Sequence, residues 1–431
     1  MNERRPTFIH SLTLNNLLSF SPAPETDGTP KPTLKLGPLN VLIGPNGSGK
    51  SNLVEVLSLL HSLPTDLAAP IREGGGVDAW IWNGPSAGAV AELVVIVGER
   101  GRASLEHRIE LGARRGRTFV SLETVLVAGQ GGRSVFSYAE GRVTVGDEAT
   151  PLAEPASDVV VRNVAEHKAR VRVAAMESMI LKQKRDLEFE LSARWKGDQS
   201  VLAQWNDPRV HEISTLRGMY SGIYLYRDWD TSRNGALRSP ARADMPDDFL
   251  LPNASNLPVV LSALQRHPKV WLDLRAALRR FLPSAEDVVT IVQGGTVQLF
   301  VRESGHSALT PGTRLSDGTL RYLALLSVLL HPEPPALVVI EEPELGLHPD
   351  LIGDVAKLLE QASEQCQVLV TTHSDHLVSA LSHRPDAIVV AERKEAGTVL
   401  KRLKPAALAS WLKKYRLGEL WMNGEIGGTR W

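Results

Sequence analysis

An α/β fold with a mixed β core, an antiparallel β meander and a helical lobe is predicted by three observations along this 431-residue chain. The first is an apolar run, 39–43, that enters Gly44-Pro45-Asn46-Gly47-Ser48-Gly49-Lys50-Ser51 and continues into 52–60, where Leu53, Val56, Leu57 and Leu60 recur at helical spacing. The second is the continuous apolar run 336–340, the pattern of a strand buried on both faces, which closes on Glu341 and Glu342. The third is another apolar run, 367–371, followed by Thr372-His373-Ser374.

The glycine-rich octet is a full phosphate-binding loop. Its glycines let backbone N–H groups close round phosphates, Lys50 reaches the β and γ oxygens, and the Ser51 hydroxyl sits on Mg²⁺. The helix that follows points its N-terminus, and the positive end of its dipole, at the same phosphates. The expected ligand-binding set is Asn46, Gly47, Ser48, Gly49, Lys50, Ser51 and Asn52.

Adjacent residues on a strand point to opposite faces, so Glu341 and Glu342 are expected to do different things. Glu341 would hold Mg²⁺ through its water shell, and Glu342 would polarise the attacking water. A hydrophobic strand ending in acids is common; the phosphate loop upstream and Thr-Thr-His downstream turn it into a site. His373 is expected near the γ-phosphate, as a sensor or a hydrogen-bond partner of the transition state, with a capping role at a strand end as the plainer alternative. Leu315-Ser316-Asp317-Gly318 precedes an apolar helix, 320–330, and Ser316 or Asp317 suits its N-cap.

Composition bounds the rest. With 43% apolar and 23% charged residues the chain is an ordinary globular protein with a sizeable core. A net charge of −1 gives no bulk case for binding nucleic acid, so such a contact needs a local patch. Cys366 is the only cysteine, which rules out an intrachain disulfide and fits a reducing cytoplasm. Charged residues interrupt the first twenty positions, and the longest apolar runs, such as 323–330, fall far short of a membrane span. A cytoplasmic chain without membrane contact is the expectation.

In chain order, 12–14 and 33–36 alternate like half-buried strands around a Pro-, Thr- and Gly-rich loop, 21–31. Runs 91–97, 103–111 and 118–127 form the meander. Residues 165–185 make a basic helix, either a phosphate contact or a solvated face. Helix-like stretches 259–264 and 270–281, with an irregular stretch at 227–248, place a helical lobe after residue 214, and 387–391 adds a last strand. The division is therefore 1–213 (ATPase lobe with meander), 214–313 (helical lobe) and 314–431 (signature, acids and histidine).

Taken together, the motifs resemble the ABC-type ATPase heads of the RecF/SMC/OLD branch, and in particular the stand-alone bacterial AAA-family ATPases of genome maintenance and anti-phage defence. The similarity runs through 43–53, Tyr226-Arg227-Asp228-Trp229, Asn256-Leu257, 315–320, 340–349 and Leu417-Gly418-Glu419-Leu420-Trp421. It implies a P-loop NTPase fold of ABC-head type that takes ATP and Mg²⁺. It gives Lys50 and Ser51 to phosphate and metal, Glu341 to the metal, Glu342 to the base, and His373 to the switch position. Ser316 and Gly318 fall to the γ-phosphate of a second subunit, so the resemblance implies a head-to-tail homodimer. The Tyr-Arg-Asp-Trp stretch and the tail mark kinship, with packing as their plain role.

Three departures stand out. The metal acid is Glu341 where most ABC proteins have Asp; the signature reads Ser-Asp-Gly; and the Gln-loop position falls to Gln204 as the best candidate metal ligand. No sustained heptad pattern lies between 52 and 315, which excludes long coiled-coil arms, and 374–431 is too short for a Toprim nuclease, so the chain is not expected to cut DNA itself. Two functions fit: an ATP-driven machine in DNA repair or anti-phage defence working with a separately encoded effector or nuclease, or a slow nucleotide-gated sensor that holds and releases an effector.

Overall fold

A computed structural model describes residues 7–22, 33–84, 87–99, 103–128, 132–146, 188–207 and 210–428. The basic helix expected over 165–185 lies outside them. No described helix is long and apolar enough to cross a membrane. The chain forms two compact units: one collects the described parts of Met1–Ile9, Leu34–His61 and Gly222–Trp431, the other those of His10–Thr33 and Ser62–Ser221.

This division differs from the expected one, because the phosphate-loop segment groups with the C-terminal half. The reason is hydrogen bonding. Leu39–Ile43 pairs in parallel with Gln367–Thr371 on one side and with Ile388–Lys394 on the other. The full sheet runs Gly397–Arg402, Ile388–Lys394, Leu39–Ile43, Gln367–Thr371, Leu337–Glu341, Ile223–Tyr226. Only its Gly397–Arg402 edge is antiparallel. Every residue of Leu39–Ile43 and of Gln367–Thr371 is buried, as continuous Val/Leu/Ile runs demand. The helix Ile352–Ser363 packs on these two central strands and on the helix Asp317–Leu329, whose residues from Thr319 onward are almost all buried.

The region expected as a helical lobe does hold helices, Leu257–Leu264 and Pro268–Phe281. It also holds strands that the reading omits. Ile223–Tyr226 is an edge of the parallel sheet, and Ala285–Gln293 pairs with Thr296–Glu303 as a hairpin. Its two-residue turn is Gly294-Gly295, both at positive φ (56° and 77°), the geometry that a tight hairpin requires and glycine adopts freely.

In the second unit the meander is longer than expected. Val90–Glu99, Leu105–Arg114 and Arg117–Val127 continue into Arg133–Ala139 and Arg142–Val145, all antiparallel. A fully buried polar network fixes its middle. His107 Nε2 lies 3.0 Å from Glu123 Oε1 and Nδ1 lies 3.1 Å from the Tyr220 hydroxyl. Glu123 also accepts from Ser200 Oγ (2.6 Å) and Val201 N (2.8 Å), which satisfies a carboxylate that would be costly to bury alone.

Candidate functional site

Three parallel strands in register deliver three loops to one end of the sheet. Leu42 is paired with Thr371, and Thr371 with Glu341, so the phosphate loop, the acids and Thr372-His373 all emerge at the carboxyl edge, where open α/β sheets bind their ligands.

The phosphate loop folds as its glycines allow. Gly44 has φ +146°, and a Cβ there would sit 2.3 Å from the Ala391 carbonyl oxygen; Gly47 has φ +78° at the exposed tip beside Asn46. The helix Lys50–Ser62 starts directly after Gly49. Lys50 is buried, and Nζ donates to Gly44 O (2.7 Å) and Pro45 O (3.1 Å). Burial pulls its ammonium down from 10.5 to about 8, with the Glu342 and Glu341 carboxylates holding it back. Ser48 Oγ is buried without a hydrogen-bond partner among the described residues, an orphan polar group of the kind a phosphate oxygen would satisfy. Ser51 is exposed and Asn52 half-buried on the first helical turn.

Glu341 ends its strand and is half-buried. Burial raises its carboxyl above the usual range, opposed by Arg227, whose Nε lies 3.5 Å away and whose Nη1 holds Glu55 at 2.6 Å. The division from Glu342 does not come from strand alternation, as expected. The strand stops at Glu341, and Glu342 turns into the left-handed region at φ +49°, a strained conformation for glutamate that clusters at functional sites. Its N–H donates to Thr371 O (2.9 Å), and its Oε1 lies 3.8 Å from His373 Nε2. Acid and histidine thus face each other.

Glu344, for which the sequence suggests no task, ties the acids to the histidine loop. Its Oε1 accepts from Thr372 Oγ1 and from His373 N (3.2 Å), while Oε2 is buried without a partner among the described residues and burial raises the carboxyl above its ordinary range. The last glutamate of Glu341-Glu342-Pro343-Glu344 was its only signal. Arg227 belongs to the stretch read as packing; the structure puts it on Glu341 instead.

The signature residues lie at the start of Asp317–Leu329. Ser316 is the N-cap, accepting from Thr319 N at 3.1 Å, so the capping expectation holds. Asp317 pairs with Arg238, which also donates to Leu315 O (2.6 Å). Gly318 packs so tightly on the loop after the acids that a Cβ would lie 2.8 Å from Gly346 O. Ser316 and Asp317 are exposed. Gln204 lies in the second unit, where its amide closes a turn through Lys196 N (2.8 Å), Lys196 O (3.0 Å) and Gln199 O (2.9 Å). Both ends of its amide are engaged in that turn.

No group of three or more His, Cys, Asp or Glu side chains that could hold a metal occurs among the described residues. The donors that are there, Ser51 and Glu341, fit Mg²⁺, which keeps its waters and relies on one or two carboxylates plus substrate phosphates.

A family model described as "AAA domain, putative AbiEii toxin, Type IV TA system" matches residues 39–130 and 206–379, more than half of the chain. The chain belongs to this AAA family. The Old nuclease of Escherichia phage P2 is 31% identical over 123 residues, 26% of this chain; the match spans 21% of that protein. The crystal structure of an SmcHead bound to the C-winged helix domain of ScpA shares the fold, with TM-score 0.55, 13% identity and coverage of 94% of this chain and 99% of that one. The AAA chain thus has the fold of an SMC head domain.

The lowered Lys50 ammonium makes a testable expectation for this AAA head. Phosphates beside Nζ restore its hold on the proton, so between about 8 and 10.5 the ligand-free site lacks a proton that the bound site carries. Nucleotide binding at pH 9 should take up close to one proton, and affinity should fall by up to about tenfold per pH unit above 8 yet stay flat below it. Calorimetric titrations in two buffers of different ionisation enthalpy read the uptake directly, and zero uptake would show that burial does not lower the free Lys50 ammonium or that bound phosphates do not restore it.

Proposed function

We propose that the chain binds Mg²⁺-ATP at the carboxyl edge of its parallel sheet, hydrolyses it, and does so as a head-to-tail homodimer in a DNA-directed process. The observation that carries this reading is the register that sets the phosphate loop, Glu341-Glu342 and Thr372-His373 side by side. The loop amides and Lys50 would cradle the β and γ phosphates. Ser51 and Glu341 would hold Mg²⁺, which when bound offsets the charge on the phosphate oxygens. Glu342 would orient the attacking water and accept its proton, with His373 holding the carboxylate and donating toward the γ-phosphate.

Ser316 is exposed at a helix N-terminus, which supports an anion contact from outside the chain, with the Asp317 carboxylate paired to Arg238. The DNA-directed part draws on the similarity to the Old nuclease, and a separately encoded effector in a reducing cytoplasm completes the reading. A nucleotide-gated scaffold is the second reading; it is favoured by the solved SmcHead of this fold, which carries a bound partner domain.

Mixing experiments test the shared site. In a linked dimer of a Lys50→Ala subunit and a Ser316→Arg subunit, both lesions fall in one composite site and one site should keep working. When one subunit carries both lesions and is linked to wild type, each composite site is damaged and activity should fall to background. Sites built within single chains reverse the two results. The ranking of the two linked dimers, rather than either absolute rate, decides.

A further inference from the structure

The chain is nearly neutral, but residues 396–418 carry six basic residues and no acid. One of the six is structural: Arg402 bonds Asp386 O (2.7 Å), Lys35 O (2.8 Å) and the Asn40 side chain. Lys401, Lys404, Lys413, Lys414 and Arg416 are exposed, and their side chains make no ion pair with a described carboxylate. Between them stand two large rings that the fold leaves in water. Trp411 is 43% exposed and Tyr415 45%, with ring centroids 6.1 Å apart. Tyr415 N bonds Trp411 O at 3.0 Å, so the rings occupy successive turns, while Leu408 and Leu412 on the same turns pack into the core. The apolar residues needed to seat this segment are therefore Leu408 and Leu412; the aromatic pair is left over.

The segment is flanked on both sides by chain that approaches the phosphate loop. Before it, Thr398 Oγ1 donates to Ser48 O at 3.0 Å. After it, the tail returns so closely that a Cβ on Gly428 would touch the Gly44 Cα at 3.5 Å, with Gly428 fixed by Trp421 Nε1 (3.0 Å) and by Glu392 Oε1 (3.1 Å).

We propose that residues 401–416 bind single-stranded nucleic acid, with bases stacking on Trp411 and Tyr415 and phosphates meeting the surrounding Lys and Arg side chains. The inference rests on the DNA-directed part of the proposed function and names its contact surface. Interleaved cations and exposed rings are what sequence-tolerant single-strand binding uses, and a duplex hides the base faces that such rings need. A second copy of this surface is a poor occupant, because five cations would face five like charges.

Fluorescence anisotropy with a labelled oligothymidylate of about twenty nucleotides, without ATP, tests it. Wild type should bind the single strand more tightly than a duplex of equal length. Trp411→Ala/Tyr415→Ala should weaken binding by about tenfold or more, while Trp411→Phe/Tyr415→Phe largely retains it. Lys413→Ala/Lys414→Ala should flatten the log K against log salt slope by about 0.7 for each phosphate that these lysines neutralise in the wild type. No binding by wild type, equal binding of duplex, or indifference to the alanine pair would each overturn the proposal. So would loss of self-association in the alanine pair with oligonucleotide binding unchanged, which would assign the rings to a protein contact. Because no ATP is present, an inactive ATPase site leaves the result intact, and an active one does not rescue a failed result.

Discussion

Lys50→Ala should abolish ATP turnover, with a loss on the order of 10³-fold or more, since it removes the charged donor that stabilises the transferring phosphoryl group. Nucleotide affinity should fall by roughly ten- to a hundredfold, the usual worth of a hydrogen bond to a charged group. The fold should survive. Burying this ammonium is unfavourable without phosphates, as its lowered proton affinity shows, and the two carbonyls it serves, Gly44 O and Pro45 O, lie in a loop whose tip is exposed. Steady-state turnover beside a thermal melt separates the two effects. Wild-type turnover by a preparation free of contaminating ATPases would remove the phosphate-loop assignment.

Glu342→Gln should keep nucleotide binding within a few-fold of wild type and lower turnover by about 10²- to 10⁴-fold, the range for losing a general base. The amide keeps the shape of the side chain but cannot take the proton, so the variant should accumulate as an ATP-bound dimer in size-exclusion chromatography with light scattering. Glu341→Gln should behave differently. It would shift the Mg²⁺ concentration needed for binding to higher values, because one of two protein donors to the metal becomes neutral. Identical phenotypes would contradict the proposed division of labour between Glu341 and Glu342.

Much of this site was legible because its parts are local. Leu39–Ile43 and Gln367–Thr371 appear where continuous apolar runs put them, and the phosphate loop needs only its own glycines. What was not legible depends on partners distant in sequence. Arg227 reaches Glu341 only because Ile223–Tyr226 joins the parallel sheet beside Leu337–Glu341, a pairing that four residues cannot announce. A left-handed glutamate has no sequence signal at all, and Glu344 gains its task from Thr372, which folds against it from another strand. The hairpin at Gly294-Gly295 is a different kind of omission. Its alternating Val, Leu and Phe residues carry a signal, overshadowed by the helical periodicity of 257–281 just before it.

The order of strands also says when this protein can begin to work. The Asn40 side chain bonds Val368 O across 328 residues of sequence, and the strand carrying the phosphate loop has both its neighbours in the last quarter of the chain. Closing so long a loop must precede the contacts that reward it, which makes assembly of this sheet slow compared with local helix formation. During synthesis Leu39–Ile43 emerges as an almost wholly apolar strand with two unpaired edges, and it stays so until residues 367–390 leave the ribosome. A nascent chain therefore has the phosphate-binding sequence long before it has a phosphate-binding site. In that interval the same segment is open to mispairing with other chains.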